Sequence, residues 1–338
     1  MKKTKVAING LGRIGRAFFK LALKEPELEI VAINDLGELD NLVYLLKYDT
    51  AYGRSRLEIE TEGDYLLIAG QRIKFSQERD PAQLPWDELD VDVVVESTGV
   101  FTSWQKAKAH IDAGARRVVI SAPVKEDAPL GIPTGTILMG VNDDKLNSCQ
   151  ITSNASCTTN SASPLIAILD ESIGIKKALL NTIHGYTSTQ ALVDTPNKKD
   201  YRRGRAAAQN IIPSTTGAAT ALTEAISSLK DKFDGVATRV PVVTGSLVDI
   251  TFLASRRTNV DEVNDILRQA ALTERWQKIF TITEEPLVSS DIVGQTYASI
   301  ADLAMTRVVD GDLIKVMAWY DNEMGYAKTL VEHVIRIN

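Results

Sequence analysis

Short unbroken apolar runs alternate with stretches of helical spacing along the first half of the chain. Residues 5–9 form such a run and predict a buried strand. Residues 16–24 place Ala17, Phe18, Leu21 and Ala22 on one face and predict a helix, and residues 29–34 predict a second strand. The rhythm continues with a strand over 91–95, a helix over 104–113 and a strand over 117–121. Continuously apolar strands are those covered on both faces, so their alternation with helices predicts a parallel sheet. Ligands of such sheets bind at the carboxyl ends of the strands, where Asn9, Asp35, Ser97, Thr98 and Ser121 fall. Beyond residue 157 the pattern changes. Residues 178–182 read as a strand leading into His184. The runs 235–243, 245–255 and 313–320 alternate and carry β-branched residues, which predicts a mainly antiparallel sheet with a helix over 260–272 beside it. Residues 327–337 regain helical spacing at Leu330, Val331, Val334 and Ile335.

Between the first strand and the first helix stands Gly10-Leu11-Gly12-Arg13-Ile14-Gly15, and the second strand ends at Asp35. Strand, glycine turn, helix, strand and acid within about 30 residues form the full context in which this glycine spacing binds a dinucleotide. The glycines permit a tight turn and close approach of a pyrophosphate, and the helix N-terminus stabilises its charge. A glycine turn kept only for packing would leave Asp35 unexplained. The expected fold is α/β: a Rossmann-type dinucleotide-binding domain over 1–156, with a C-terminal helix over 323–338 packing back on it, and an α+β catalytic domain over 157–322 with the mainly antiparallel sheet.

Composition narrows the class. The chain has 338 residues and a net charge of −6, with its lysines and arginines outnumbered and scattered, so no nucleic-acid surface is expected. No apolar run reaches the length of a membrane span, and the basic start leads into a run too short and polar for a secretory signal. Two cysteines, Cys149 and Cys157, make no disulfide framework and suit a reducing, cytoplasmic setting. Three histidines at unhelpful spacings argue against a metal site.

The candidate chemistry centres on Cys157. It stands in Ser153-Asn154-Ala155-Ser156-Cys157-Thr158-Thr159-Asn160, where a polar extended segment turns into the apolar-patterned residues 162–169. A cysteine at a helix N-terminus meets unpaired N–H groups and the positive end of the dipole, which favour a thiolate. The alternative is a polar cap with an incidental cysteine. A nucleophile needs a base. His184 ends a strand in the cysteine's own domain and is followed by a polar turn. His110, beside Lys108 and Asp112, is expected to be solvated, and His333 lies in the terminal helix. Cysteine, histidine and a nicotinamide cofactor together define aldehyde oxidation through a hemithioacetal and a thioester. Arg202, Arg203, Arg205, Arg239, Thr187, Thr215, Thr216 and Gly217 are candidate phosphate donors. Arg202 and Arg203, and with them Arg205, also read as a solvated or inter-subunit basic loop. Arg239 sits inside an otherwise apolar strand and is expected to need a charged partner.

With these residues in view, the chain resembles the phosphorylating glyceraldehyde-3-phosphate dehydrogenases along its whole length. The resemblance rests on residues 8–16, Ile33-Asn34-Asp35, Leu46-Lys47-Tyr48-Asp49, Glu96-Ser97-Thr98-Gly99-Val100-Phe101, residues 153–160, His184-Gly185-Tyr186-Thr187, Arg205-Ala206-Ala207-Ala208, Arg239-Val240-Pro241 and residues 320–326. It implies oxidative phosphorylation of D-glyceraldehyde 3-phosphate to 1,3-bisphosphoglycerate with NAD and inorganic phosphate, in glycolysis or gluconeogenesis, by a homotetramer whose 194–205 loop meets a neighbouring subunit. It implies Cys157 as nucleophile and His184 as base. Thr187 and Arg239 would hold the substrate's phosphate, and Ser156, Thr158, Thr216 and Gly217, with Arg239 nearby, the inorganic one. Cofactor contacts would fall to Gly10, Gly12, Arg13, Ile14, Gly15, Asp35, Arg79, Ser97, Thr98 and Ser121. Asn322 would fix the nicotinamide carboxamide and Tyr326 would flank the ring. Asp35 and Leu36 disfavour a 2′-phosphate, so NAD is expected over NADP; Pro196 agrees with that preference and Thr195 departs from it.

Other departures are Ser161, where the family commonly has a second cysteine, Gly185 in place of serine, a longer connection over 127–136, and Val243-Thr244-Gly245. None removes a group that the chemistry needs. Erythrose-4-phosphate dehydrogenase is the nearest rival, and Gly185-Tyr186-Thr187 and Met324 favour the triose substrate over it. Aspartate-semialdehyde dehydrogenases lack most of these motifs. A non-catalytic redox-sensing or RNA-binding homologue would not need Cys157, His184, Arg239 and Asn322 together.

Overall fold

The computed structural model describes residues 2–126, 131–198 and 200–337. Part of the 127–136 connection and Lys199 of the 194–205 loop therefore lie outside the described residues. The chain divides into two compact units: residues up to Ile137, Asn142–Ala155 and residues from Ala327 on; and Leu138–Val141 with Ser156–Tyr326.

In the first unit the unbroken apolar runs do become a parallel sheet. Its order is Thr134–Thr136, Ile151–Ser153, Arg117–Ile120, Val93–Glu96, Thr4–Asn9, Leu28–Asn34 and Gln71–Ser76, and an antiparallel edge of Tyr65–Ile68 and Ile59–Glu62 completes it. Val6, Ala7, Ile8, Val94 and Val95 are fully enclosed, as strands covered on both faces must be. The strand order reverses between Thr4–Asn9 and Val93–Glu96, so a crevice opens at their carboxyl ends.

The first helix spans Arg13–Ala22, starting three residues ahead of the apolar pattern, because extended Gly12 serves as its N-cap. Phe18 and Phe19 fill the core, while Leu21 stays half-buried. Helix Trp104–Asp112 is capped by the Ser103 hydroxyl, which accepts the Lys106 N–H at 3.2 Å. The expectation of a solvated His110 fails. Its spacing of three from Ala107 and six from Trp104 puts it on the buried stripe, and it is 0% exposed.

Helix Met324–Arg336 passes from the second unit into the first at Ala327. There it is fixed by His333, whose Nε2 meets the Thr152 hydroxyl at 2.8 Å and whose Nδ1 meets Asn154 Oδ1 at 3.1 Å. Burial pushes His333 down to about 3.

The second unit holds a mixed sheet in the order Ile212–Thr215, Phe233–Val240, Ile175–Gly185, Ser246–Ala254, Leu313–Tyr320, Ser299–Asp302, Phe280–Thr283. Antiparallel pairs dominate; Ile175–Gly185 with Phe233–Val240, and Phe280–Thr283 with Ser299–Asp302, run parallel. The helix after the polar segment spans Cys157–Ile173, so its first turn is polar and its body apolar. Gly174, at φ +70°, ends it, its N–H bonding the Leu169 and Asp170 carbonyls.

Candidate active site and cofactor pocket

The crevice of the first unit is a cavity of about 350 Å³, lined among others by Gly10, Gly12, Asp35, Arg79, Ser97 and Thr98. Its floor is bare backbone by necessity. A Cβ on Gly10, at φ +96°, would stand 2.7 Å from the Thr98 nitrogen, and one on Gly15 would stand 2.0 Å from the Gly10 carbonyl oxygen. A Cβ on Gly12 would meet nothing within 4 Å, so its absence serves something other than packing of the chain itself. Asp35 accepts the Leu11 N–H at 2.6 Å and the Gly37 N–H at 2.8 Å, which ties the glycine turn to the second strand. A cradle without side chains, a helix N-terminus and a carboxylate at the second strand's end fit the pyrophosphate and ribose of NAD.

The remaining residues expected at the cofactor stand apart from this cavity lining. Arg13 is committed to Asp49, at 2.6 Å, and stacks over Tyr52; the ion pair and two backbone N–H groups hold the Asp49 carboxyl below its usual range against the opposing effect of burial. Gly15 is packing floor, and Ser121 donates its N–H to the Glu96 carbonyl. Asn322 and Tyr326 are buried in the second unit.

Beneath the cavity lies a network that sequence reasoning missed. Glu96, 2% exposed, accepts from Asn9 Nδ2 at 2.6 Å, from His110 Nε2 at 3.1 Å, and from both the N–H and the hydroxyl of Thr98. Trp86 donates its indole N–H to His110 Nδ1 at 3.0 Å, which places the ring's proton on Nε2, facing Glu96. Asn9 in turn accepts from Asn34, at 2.7 Å. The signal in the sequence was Glu96 directly before Ser97-Thr98, together with His110 on the helix's apolar stripe.

In the second unit Cys157 is the first residue of its helix, and Ser156 caps it by accepting the Thr159 N–H at 3.0 Å. Cys157 Sγ lies 3.3 Å from His184 Nε2. His184 pairs in register with Arg239 on the neighbouring parallel strand, and Arg239 NH1 reaches His184 Nδ1 at 2.5 Å and the Gly185 carbonyl at 3.0 Å. The charged partner expected for Arg239 is not a side chain of the described residues. Among the described residues no Asp or Glu lies within ion-pair distance, and burial holds this guanidinium below its usual range.

The thiolate expected at this helix end meets an opposing effect. Burial pushes the Cys157 thiol up, against the opposing pull of Arg239 and the Thr158 N–H; burial and the Arg239 charge push His184 down to about 3. The helix end and the cation favour the thiolate, and burial opposes them.

Around this pair Tyr320, which sequence reasoning had quoted only as part of a motif, packs edge-on to the His184 ring and bonds the hydroxyls of Thr158 at 2.9 Å and Thr182 at 2.7 Å. Burial raises the Tyr320 phenol above its usual range. Thr158 is thus turned inward, although a hydroxyl that accepts from Tyr320 can still donate. Thr187 meets the Thr189 hydroxyl at 2.9 Å; Thr216 accepts the Ala218 N–H at 3.2 Å, and Gly217 caps helix Ala218–Ala225. Ser246, not singled out from sequence, accepts the Gly185 N–H at 3.1 Å and donates to Asn322 Oδ1 at 2.8 Å. The carbonyl side of the Asn322 amide is thereby occupied, and Nδ2 remains to meet an acceptor. Among the described residues no group of three or more His, Cys, Asp or Glu could hold a metal, and no helix is long and apolar enough to cross a membrane.

A dinucleotide cradle in one unit and a cysteine–histidine pair with an arginine in the other define the class of cofactor-dependent aldehyde dehydrogenases that work through a thiol. Residues 4–104 match the family model described as the glyceraldehyde 3-phosphate dehydrogenase NAD binding domain, and residues 156–322 match its C-terminal domain. The chain is 47% identical to glyceraldehyde-3-phosphate dehydrogenase 2 of Streptomyces avermitilis over 97% of its length and 96% of the relative's. It is 46% identical to the Geobacillus stearothermophilus glyceraldehyde-3-phosphate dehydrogenase over the same shares, and 48% identical to that of Mycobacterium bovis over 98% and 97%. The chain belongs to the glyceraldehyde-3-phosphate dehydrogenase family.

Proposed function

We propose that this chain oxidises D-glyceraldehyde 3-phosphate to 1,3-bisphosphoglycerate with NAD and inorganic phosphate. The observation that carries the reading is the Cys157 sulfur at a helix N-terminus, 3.3 Å from His184 Nε2, with a cation and no carboxylate beside them. Cys157 gives its proton to Nε2 as sulfur bonds the aldehyde carbon, and Nε2 returns that proton to the oxygen. Nε2 takes the hydroxyl proton again as the carbon loses hydride, which leaves a thioester and one proton on His184. Bound NAD supplies the hydride acceptor. A phosphate oxygen then attacks the thioester carbon, and the Cys157 sulfur leaves with the electron pair. Thr187 and Arg239 hold the substrate's phosphate. Ser156, Thr158, Thr216 and Gly217 hold the inorganic one. Gly10, Gly12, Arg13, Ile14, Gly15, Asp35, Arg79, Ser97, Thr98 and Ser121 serve the dinucleotide, with Asn322 and Tyr326 at the nicotinamide. Two unpaired cysteines suit a cytoplasmic enzyme.

Phosphate dependence tests this reading. Without phosphate or arsenate, mixing enzyme, NAD and substrate should give one stoichiometric burst of NADH, followed by slow hydrolysis of the thioester. Either anion should restore multiple turnover. Rapid steady-state turnover in phosphate-free buffer would move the chain to a non-phosphorylating class.

The chain is further proposed to work as a homotetramer. Leu192 (84% exposed), Val193 (70%), Tyr201 (84%) and Ile211 (70%), in and beside the 194–205 loop, expose apolar surface that a monomer would gain by covering. Light scattering should return a mass several times 37.0 kDa, and a monomer at micromolar concentration would contradict the assignment.

A further inference from the structure

We propose that Asn9 and Glu96 are positioning residues for the cofactor: a chain of hydrogen bonds that can run in one sense only passes through them and holds the two lips of the cavity in place. This rests on the reading of that cavity as the adenosine end of the NAD site, which Asp35 at the second strand's end marks.

One lip carries Glu78 and Arg79, the other Thr98 and Val100, and Asn9 and Asn34 also line the cavity. Thr4–Asn9 and Leu28–Asn34 lie in the sheet between Val93–Glu96 and Gln71–Ser76, so the side chains at these strand ends can link one lip to the other. Asn34 clamps the Glu78 backbone, accepting its N–H at 2.8 Å and donating to its carbonyl at 2.9 Å. Asn34 Nδ2 also donates to Asn9 Oδ1 at 2.7 Å, and Asn9 Nδ2 donates to Glu96 at 2.6 Å. Glu96 accepts the Thr98 N–H at 2.8 Å and the Thr98 hydroxyl, which itself takes the Val100 N–H at 3.1 Å.

The sense of these bonds is set by groups that cannot reverse. A backbone N–H only donates and a carbonyl only accepts, so Glu78 orients the Asn34 amide, and Asn34 orients that of Asn9. The Trp86 indole only donates, so His110 Nδ1 accepts it at 3.0 Å and Nε2–H faces Glu96 at 3.1 Å. Donors therefore meet position 96 from both sides, and only an acceptor-only group satisfies them. Asn9, Asn34, Trp86, Glu96 and His110 are all buried, so two donors set face to face there would lack even water. An amide at 96 must aim its NH2 at Asn9 and His110 or at the Thr98 N–H, and either choice displaces a lip.

The test is calorimetric binding of ADP-ribose, the cofactor without its nicotinamide, to the full chain as wild type, Asn9→Asp, Glu96→Gln and the double variant. Each single change should raise the Kd about tenfold, as when the competent cavity falls to about a tenth of the population. The double change moves the acceptor-only group to position 9, where it takes the Asn34 amide and the new amide at 96. It also comes near His110 Nε2–H, which Asn9 Nδ2 already approaches at 3.4 Å. The carbonyl of the new amide then accepts from Thr98. The double variant should bind within about threefold of wild type, where independent losses would multiply to about a hundredfold. KM for NAD should rise in the same order, and by more than the NADH burst at saturating NAD falls. Residues that merely support the fold would lower the thermal midpoint and leave the Kd of the folded protein at its wild-type value. That outcome, or losses that multiply in the double variant, overturns the proposal. Should a single variant not fold, Asn9→Ala cuts the link and leaves a gap that water can fill, and an unchanged Kd there overturns the proposal equally. A wild type that binds NAD but not ADP-ribose would overturn the adenosine-end reading instead.

Discussion

His184→Asn should slow the hydride-transfer burst by roughly 10²–10⁴-fold, the usual worth of a positioned general acid–base. The ring does two jobs at one atom. Nε2, 3.3 Å from Sγ, is the acceptor for the thiol proton on attack and for the hydroxyl proton as hydride leaves. Asparagine keeps a polar group at the strand end and retains the Ile175–Gly185 ladder, which is made of backbone bonds, so the fold should stand. It offers no nitrogen that takes a proton near neutral pH. Stopped-flow absorbance of NADH measures the effect, and circular dichroism checks the fold. A variant with near-normal burst rate would remove His184 from the mechanism.

Cys157→Ser should abolish the burst altogether. A serine hydroxyl keeps the helix start, where Ser156 and not residue 157 is the cap, so stability should change little. The hydroxyl ionises far less readily than a thiol, and the enclosure that already raises the thiol would raise it further. The same variant settles which cysteine reacts. In wild type, limiting iodoacetamide should label Cys157, half-buried, ahead of Cys149, which is buried beside Ser148 and under Gly135. Labelling should climb as pH rises, because a thiol whose value lies above the ordinary one gives up its proton only on the alkaline side. Equal labelling of both cysteines, or a burst surviving in Cys157→Ser, would sink the assignment of the nucleophile.

Local pattern determined much of this protein. Unbroken apolar runs became the enclosed parallel strands around Thr4–Asn9 and Val93–Glu96, because only strands covered on both faces tolerate such runs. The glycine turn was legible for a similar reason: at Gly10 and Gly15 no Cβ fits, and at Gly12 nothing in the chain needs one absent. The switch from polar to apolar positions after Ser156 marked a helix start, since a cap and its first turn are written in consecutive residues.

What the tertiary structure decided are the properties that depend on residues far apart in the chain. Enclosure is one. His110 reads as solvated beside Lys108 and Asp112, yet Trp86 and Glu96, 24 and 14 positions away, take both its nitrogens. Ionisation is another. The helix end at Cys157 is local and favours a thiolate, but the burial that opposes it comes from packing no single segment encodes. Partnership is the third. Nothing near Arg239 in sequence says that it would face His184 across two parallel strands with no carboxylate in reach, because that register is set by the sheet. Sequence by itself determined the elements and the residue types at their ends, since these follow from short-range periodicity and backbone sterics. Protonation states and pairings waited on the tertiary structure, because desolvation and hydrogen-bond competition are set by whatever the whole fold brings within a few ångströms.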